Sequence, residues 1–450
     1  MSTSGVGSLG AYAVDRRPLA VPAFRRLWVA SAVCAVGGSF SVIAVPTQLY
    51  TVTGSSAVVG AAAAVSFAAL VVAALWIGAL ADVMDRRRVL LAAHCGLAFT
   101  YVALWAQAVL GGRSVPVVML LVACQGLSFA AIMTTMGAVV PRLVPVELLP
   151  AANSLSSLTR YAGSILGPVL AGVVIPIVGL DTLYLFDAVA LLAVVWAVAM
   201  LPPLPPLPPL PPQPVGSSND PIVRFRRRRP TVGQLVAGFR YVAASRLLVA
   251  VLAVDLAAMV FGMSTALFPE LAQHTYGGPA GGGLELGLLY AAYPAGVVTA
   301  GLLSGTFTRS RRHGALMAGA AAAWGITVVF LGLAAQLWVA LAALVLGGAV
   351  NFVLSTFRNA ITQAHTHDTV RGRVQGSLTV VLFGGPHIAN LLHGAARSLL
   401  DPRMVICVGG LLTTATVAAI TWAVPELRTY TARSTTSDPP RPAVPARPCE

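Results

Sequence analysis

The residues of this sequence best placed for unusual chemistry are ionisable side chains inside long apolar runs: His94, Arg160, Asp187, Asp255, His387 and His393. An ionised group at the middle of a hydrocarbon layer costs about 3 kcal/mol or more, so each marks a functional position if its run lies in lipid. Asp255 sits about two turns into its run. Two uses of it stay open: a carboxylate that exchanges a proton as its surroundings open to either side, or the ion partner of an arginine on another helix. Asp187 lies nearer the end of its run, where a capping or packing role fits better. Arg160 suits attraction of an anionic substrate or the holding of an Asp, and either use keeps it off the lipid. His387 and His393 are six positions apart and so face different ways on one helix; they do not make a metal pair without further partners. Of the 5 cysteines, Cys34, Cys95, Cys124 and Cys407 fall in apolar runs and Cys449 near the C-terminal end, with no paired spacing. Neither a disulfide framework, a metal nor a cofactor is expected from them.

Composition determines what must position these groups. Hydrophobic residues make up 57% of the chain and charged ones 10%, with a mean hydropathy of +0.81, outside the range of water-soluble domains. Apolar stretches of about twenty residues recur from Leu27 to Val424, each long enough to cross a hydrocarbon core about 30 Å thick as a helix. A membrane barrel would show alternating segments of about ten residues, whereas this chain has continuous Ala, Val, Leu and Gly runs. The expected fold is all-α and polytopic, with spans over 27–50, 57–81, 89–110, 115–140, 151–178 and 182–201. A second set is expected over 247–271, 284–307, 314–334, 337–359, 374–397 and 404–424. All 29 basic residues are Arg and the net charge is +14. The arginines cluster between spans rather than on one soluble face, which argues against nucleic acid as partner.

These clusters fall on alternate loops: Arg16, Arg17, Arg25 and Arg26, then Arg86 to Arg88, Arg142, Arg224 to Arg229, Arg309 to Arg312, Arg371 with Arg373, and Arg428. By the positive-inside rule both termini and the central loop are expected to be cytoplasmic, which requires six spans in each half. No basic segment runs directly into an apolar stretch with a small-residue cleavage site, so the first span is expected to stay in the protein. From Leu201 to Pro212 the chain repeats Leu-Pro-Pro, an extended stretch that cannot continue a helix. It reads as a stiff linker or as the ligand of a proline-recognition domain. Beyond it, Arg224 to Arg229 either lie against anionic headgroups, with 232–244 as a surface helix, or form a solvated charge run. The expected organisation is a cytoplasmic segment over 1–23, a six-helix unit over 24–201, a linker over 202–246, a second six-helix unit over 247–425 and a disordered cytoplasmic tail over 426–450. Pro141 to Leu155 parallels Gln363 to Leu378 at the same place in each half, as a duplicated fold requires.

The loop after the second span reads Gly78-Ala79-Leu80-Ala81-Asp82-Val83-Met84-Asp85-Arg86-Arg87-Arg88. Gly78 permits close helix approach, and Asp82 can pair with arginines or cap a neighbouring helix as a conformational latch. The loop resembles the signature loop of the major facilitator superfamily, departing at Val83, usually basic there, and at Asp85, often Gly. That resemblance implies a latch of Gly78, Asp82, Arg86 and Arg87, with Arg371 and Arg373 from the second half. In the fifth span, Gly163, Gly167-Pro168 and Gly172 put small residues about every four positions, with a proline that removes one backbone bond. This resembles the Gly-Pro motif of the superfamily's proton-coupled exporters, with Ala171 replacing a usual glycine. Phe24 to Trp28, Gln48 to Ser55 and Arg371 to Val374 resemble the superfamily's enterobactin-exporter and drug-efflux branch. From Phe24 to Leu427, the linker apart, the resemblance implies two pseudo-symmetric six-helix bundles alternating access around a midplane cavity in a bacterial inner membrane.

The activity so implied is efflux of a small amphipathic compound, a drug, siderophore or secondary metabolite, with protons as the coupling ion and membrane lipid as the surroundings. Many proton-coupled relatives carry an acid in the first span, where this chain has Gly37-Gly38-Ser39, and that shifts the coupling role to Asp255 or another route. Import of a small metabolite, or a receptor or scaffold role resting on the linker and tail, are the alternatives. Few hydrogen-bonding residues stand ready for a cavity: Gln48, Gln107, Gln125, Asn351, Gln363 and Asn390, a set that suits loose selectivity. No nucleophile, metal or phosphate-binding spacing appears, so neither an enzyme nor an ATP-driven pump is expected.

Overall fold

Lipid offers the backbone no hydrogen-bond partners, so an uncharged apolar run must satisfy its N–H and C=O groups along its own axis. The computed structural model describes residues 16–112, 114–205, 240–307, 310–366 and 371–431, with the side chains of 74–83, 371–381 and a few single positions outside that description. Among the described residues every regular element is helical. The first half holds α1 (Pro22–Gly37), α2 (Ser41–Thr53), α3 (Ser56–Val83), α4 (Arg86–Val109), α5 (Val115–Leu143), α6 (Leu149–Val178) and α7 (Leu180–Ala199). The second holds α8 (Arg246–Gly262), continued by short turns to Thr275, then α9 (Leu284–Leu302), α10 (His313–Leu333), α11 (Leu337–His365), α12 (Arg371–Ala396) and α13 (Pro402–Ala423). Among the described residues, ten helical stretches are long and apolar enough to cross a membrane. With α9 and α12 between them, the helices stand where all twelve expected spans would be. Turns at Gly54 and Gly179 need φ of 63° and 84°, which glycine adopts without a Cβ penalty.

Packing repeats between the halves. In the first, α3 lies on α5, α4 on α7 and α5, and α1 on α6 and α7; in the second, α9 lies on α11, α10 on α13 and α11, and α8 on α12 and α13. Each pairing is its counterpart displaced by six spans. The halves meet through α3 against α12 and α6 against α9.

Three features differ from the sequence expectation. The first and seventh spans, expected as unbroken helices, are interrupted, at Gly38–Phe40 and at Met263–Ser264. The tenth span, expected to end at 359, continues to His365. The tail, expected to be disordered from 426, opens with a helical turn over Pro425–Thr429 that buries Leu427, and the Gly314 N–H bonds the Tyr430 carbonyl at 3.2 Å. The linker's first residues are tied down as well: Leu204 is buried, its N–H reaches Asp85 Oδ1 at 3.2 Å, and Arg142 donates to the Pro205 carbonyl at 2.8 Å. Residues 1–15, the linker over 206–239 with most of its expected surface helix, and 432–450 lie outside the described residues.

Candidate functional site

Two adjacent glycines, Gly37 and Gly38, end α1, and the break before α2 leaves the N–H groups of Phe40 and Ser41 without helical acceptors. Asp187, fully buried on α7, accepts both, at 3.1 and 2.6 Å, together with the Ser41 hydroxyl. A carboxylate at a helix N-terminus faces free donors and the positive end of the helix dipole, which is why lipid tolerates it there. Nearby, the Tyr184 hydroxyl donates to Gln48 Oε1 at 2.7 Å, Gln48 Nε2 to Gln107 Oε1 at 2.8 Å, and Gln107 to the Gly112 carbonyl. Gln48 and Gln107, expected to offer hydrogen bonds to a cavity, are engaged with each other inside the first half.

The seventh span breaks where Met263 turns extended (φ −96°, ψ 102°), and α12 clasps the break from both sides. Asn390 Oδ1 accepts from the Ala266 N–H at 2.8 Å and from the Thr265 hydroxyl at 2.9 Å. His393 Nε2 lies 3.0 Å from the Phe261 carbonyl.

Before that break, Asp255 on α8 is buried against Arg358 of α11, whose Nη1 reaches both carboxylate oxygens at 2.9 Å. The Arg358 Nε and Nη2 donate to Asn359 Oδ1 at 3.3 and 3.2 Å. Of the two uses left open for Asp255, the structure supplies the arginine partner. Sequence reasoning passed over Arg358, which lies one residue from the expected end of the tenth span at 359, whereas the helix continues to His365. Its signal was helical period: Leu354, Phe357, Arg358, Ile361 and Thr362 form one buried face. A second pair was also missed. Glu270, near the end of the seventh span, accepts from Arg397 Nε at 2.5 Å and from Ser56 Oγ at 2.6 Å, and Ser56 opens α3 in the other half. A cleft of about 720 Å³ lies beside this link, bounded by Tyr50, His274 and Arg403 among others.

The Gly-Pro motif divides its contacts. A Cβ on Gly163 or Gly167 would meet Ala35 Cβ at 2.8 Å or Ser39 Cβ at 2.6 Å, so these two seat α6 on the first span. A Cβ on Gly172 would meet the Gly283 carbonyl oxygen at 2.6 Å, and the Pro168 carbonyl touches Gly287, so the motif's second part joins α6 to α9 across the halves. Arg160 is exposed on α6 and donates to Ser157 Oγ at 3.2 Å. Of the latch residues, the side chains of Gly78, Asp82, Arg371 and Arg373 lie outside the described residues. Arg86 bonds the Leu204 carbonyl through its N–H at 3.2 Å, and Arg87 reaches the Ala199 carbonyl. Asp85 accepts from the Arg87 N–H at 2.8 Å and so caps the start of α4. His94 and His387 are apart from these groups: His94 Nδ1 bonds back to the Leu90 carbonyl at 2.8 Å, and His387 stacks on Phe67 of α3 with centroids 5.5 Å apart.

The sequence profile of the Major Facilitator Superfamily matches residues 27–390. The chain belongs to that superfamily. It is 28% identical over 383 residues to the enterobactin exporter EntS of Shigella boydii serotype 4, covering 85% of this chain and 86% of that one. To EntS of Citrobacter koseri it is 27% identical over 391 residues, 86% and 88% of the two chains. Among solved structures, a POT family transporter in complex with 5-aminolevulinic acid superposes with a TM-score of 0.67 at 12% identity over 91% of this chain and 96% of that one. A bacterial homologue of the iron transporter ferroportin in its inward-facing state gives 0.63 at 15% identity, over 91% and 99%. This superfamily member is a multi-pass membrane transporter.

Proposed function

We propose that the protein exports a small amphipathic compound by alternating access, with protons returning in exchange. The observation that carries this is the similarity to enterobactin exporters along 85% of the chain. Geometry supports it. The contacts between halves at Ser56 with Glu270, and at Gly172 with Gly283, gather at the end away from the arginine-rich loops. With those loops cytoplasmic by the positive-inside rule, this arrangement is shut towards the outside, the state from which an exporter loads. The units over 24–201 and 247–425 are the bodies that move, in a bacterial inner membrane with both termini cytoplasmic. An exposed guanidinium within a span belongs in a watery cavity rather than lipid, so Arg160 favours a compound with anionic character. The latch of Gly78, Asp82, Arg86, Arg87, Arg371 and Arg373 would close the cytoplasmic end in the opposite state.

The test uses the full chain in vesicles with an acidic interior and enterobactin added outside as probe. Export by exchange predicts accumulation of enterobactin in the lumen with matching loss of luminal protons. Absence of gradient-dependent movement overturns coupled export, and enterobactin accumulation that appears only with the gradient reversed, acidic outside, indicates proton-coupled import.

A further inference from the structure

The clasp on the seventh span contains a group whose hydrogen bonds fit one protonation state better than the other. His393 is 5% exposed, with Nδ1 2.7 Å from the carbonyl of Ala389 and Nε2 3.0 Å from that of Phe261. Both partners are carbonyl oxygens, which only accept. A neutral imidazole carries one N–H and must turn a lone pair on the other carbonyl, whereas an imidazolium donates to both. The Phe261 carbonyl needs this donor because α8 ends one residue later, and Thr265, the residue four positions on, opens the next turn instead.

Among the described residues, no charged side chain near the ring takes part. On its own helix Arg397 is paired with Glu270, and His387 stacks on Phe67. On the seventh span Asp255 is held by Arg358. On α13 Cys407 Sγ lies 3.7 Å from the Val329 carbonyl, and Arg403 bonds the carbonyls of Gly332 and Leu333 at 3.0 and 2.6 Å. The two carbonyl dipoles are what would favour a charged ring against the cost of burying it, and they act together only while Phe261 stays in place. From α13, Gly409 closes over the ring: a Cβ there would meet Nε2 at 2.9 Å. The same α12 faces the other half, with the Asn390 backbone against Gly60 of α3, so movement between the halves pulls on the helix that carries His393.

We propose that His393 is a proton-binding residue of the transport cycle: it holds a proton while α12 clasps the seventh-span break and gives it up when α8 and α12 part. This rests on the proton-coupled reading above and names a residue for it, separate from Asp255. The experiment uses the full chain, labelled with ¹⁵N-histidine, in phosphatidylethanolamine–phosphatidylglycerol vesicles. The expected result is a ring with both nitrogens protonated near neutral pH, absent from His393→Gln. That variant should still let enterobactin equilibrate but should release protons at least tenfold more slowly. A neutral single tautomer at His393 across about pH 5 to 8, or proton release by His393→Gln at the wild-type rate, overturns the proposal. If wild type itself releases no protons with enterobactin, the coupled-export reading fails, and the ring spectrum still decides whether His393 is charged. Should His393→Gln not fold, Gly409→Ala provides the second arm: its methyl displaces the ring from Phe261, and the doubly protonated signal should be lost.

Discussion

Removing one member of the Asp255–Arg358 pair leaves the other charged and buried. The side chains are 3% and 9% exposed, so neither reaches water without unpacking α8 from α11. Breaking such a pair from one side costs about 3–5 kcal/mol. In Asp255→Asn the guanidinium keeps Asn359 Oδ1 as an acceptor, at 3.3 and 3.2 Å, which holds the loss near the lower end. About 3 kcal/mol corresponds to roughly two powers of ten in the unfolding equilibrium. Adding Arg358→Met removes the stranded charge, and the double variant should return to within about 1 kcal/mol of wild type. Reversible unfolding in mixed detergent micelles, followed by helicity, measures all three. A single variant as stable as wild type, or a double variant no better than the single, would refute a buried and mutually compensated pair. The same proteins separate the two uses of Asp255. If the pair is only structural, the double variant regains enterobactin-driven proton movement together with its stability. If Asp255 carries a proton, stability returns and movement does not.

Three further outcomes are expected. Asp187→Asn leaves one of the Phe40 and Ser41 N–H groups without an acceptor, and should lower stability by about 1–3 kcal/mol in the same unfolding measurement. Glu270→Gln gives Ser56 of the other half a neutral acceptor in place of a carboxylate, and the weaker hydrogen bond across the halves should cost about 1 kcal/mol, or roughly a fivefold shift towards opening. Pulsed spin-label distances between Leu110 and Leu399, both exposed, would report that shift as a larger open population. Gly172→Val should keep the halves from meeting, because its Cβ would press on the Gly283 carbonyl oxygen and on the Gly287 Cα at 3.0 Å, neither of which is free to swing away. Transport should fall to background, while Gly319→Val, built into open space, stays near wild type.

The spans were legible because an uncharged run of about twenty residues has few alternatives in a membrane. Their mutual arrangement was not, since helices apolar all round carry no period to say which face meets a neighbour. Gly37-Gly38-Ser39 was read as a missing acid and is a break in the helix; the acid that serves it, Asp187, comes from a helix nearly 150 positions on, at a separation of 147 residues from Phe40. Position in its run already pointed Asp187, whose partners are backbone N–H groups, to a capping or packing role, whereas the two uses of Asp255 could be separated only by its partner, a guanidinium. Those partners also mark where the two halves stop being copies. In the first half α7 brings a carboxylate to the break in its neighbouring span. Its counterpart α13 brings Gly409 to the second break, against the Phe261 carbonyl, and offers no side chain to bond it. The carbonyl is left for α12, whose His393 bonds it where the first break is capped by the Asp187 carboxyl. With His393 proposed as a proton-binding residue, this asymmetry puts the decisive measurements on α8, α12 and α13 before the better-known loop motifs.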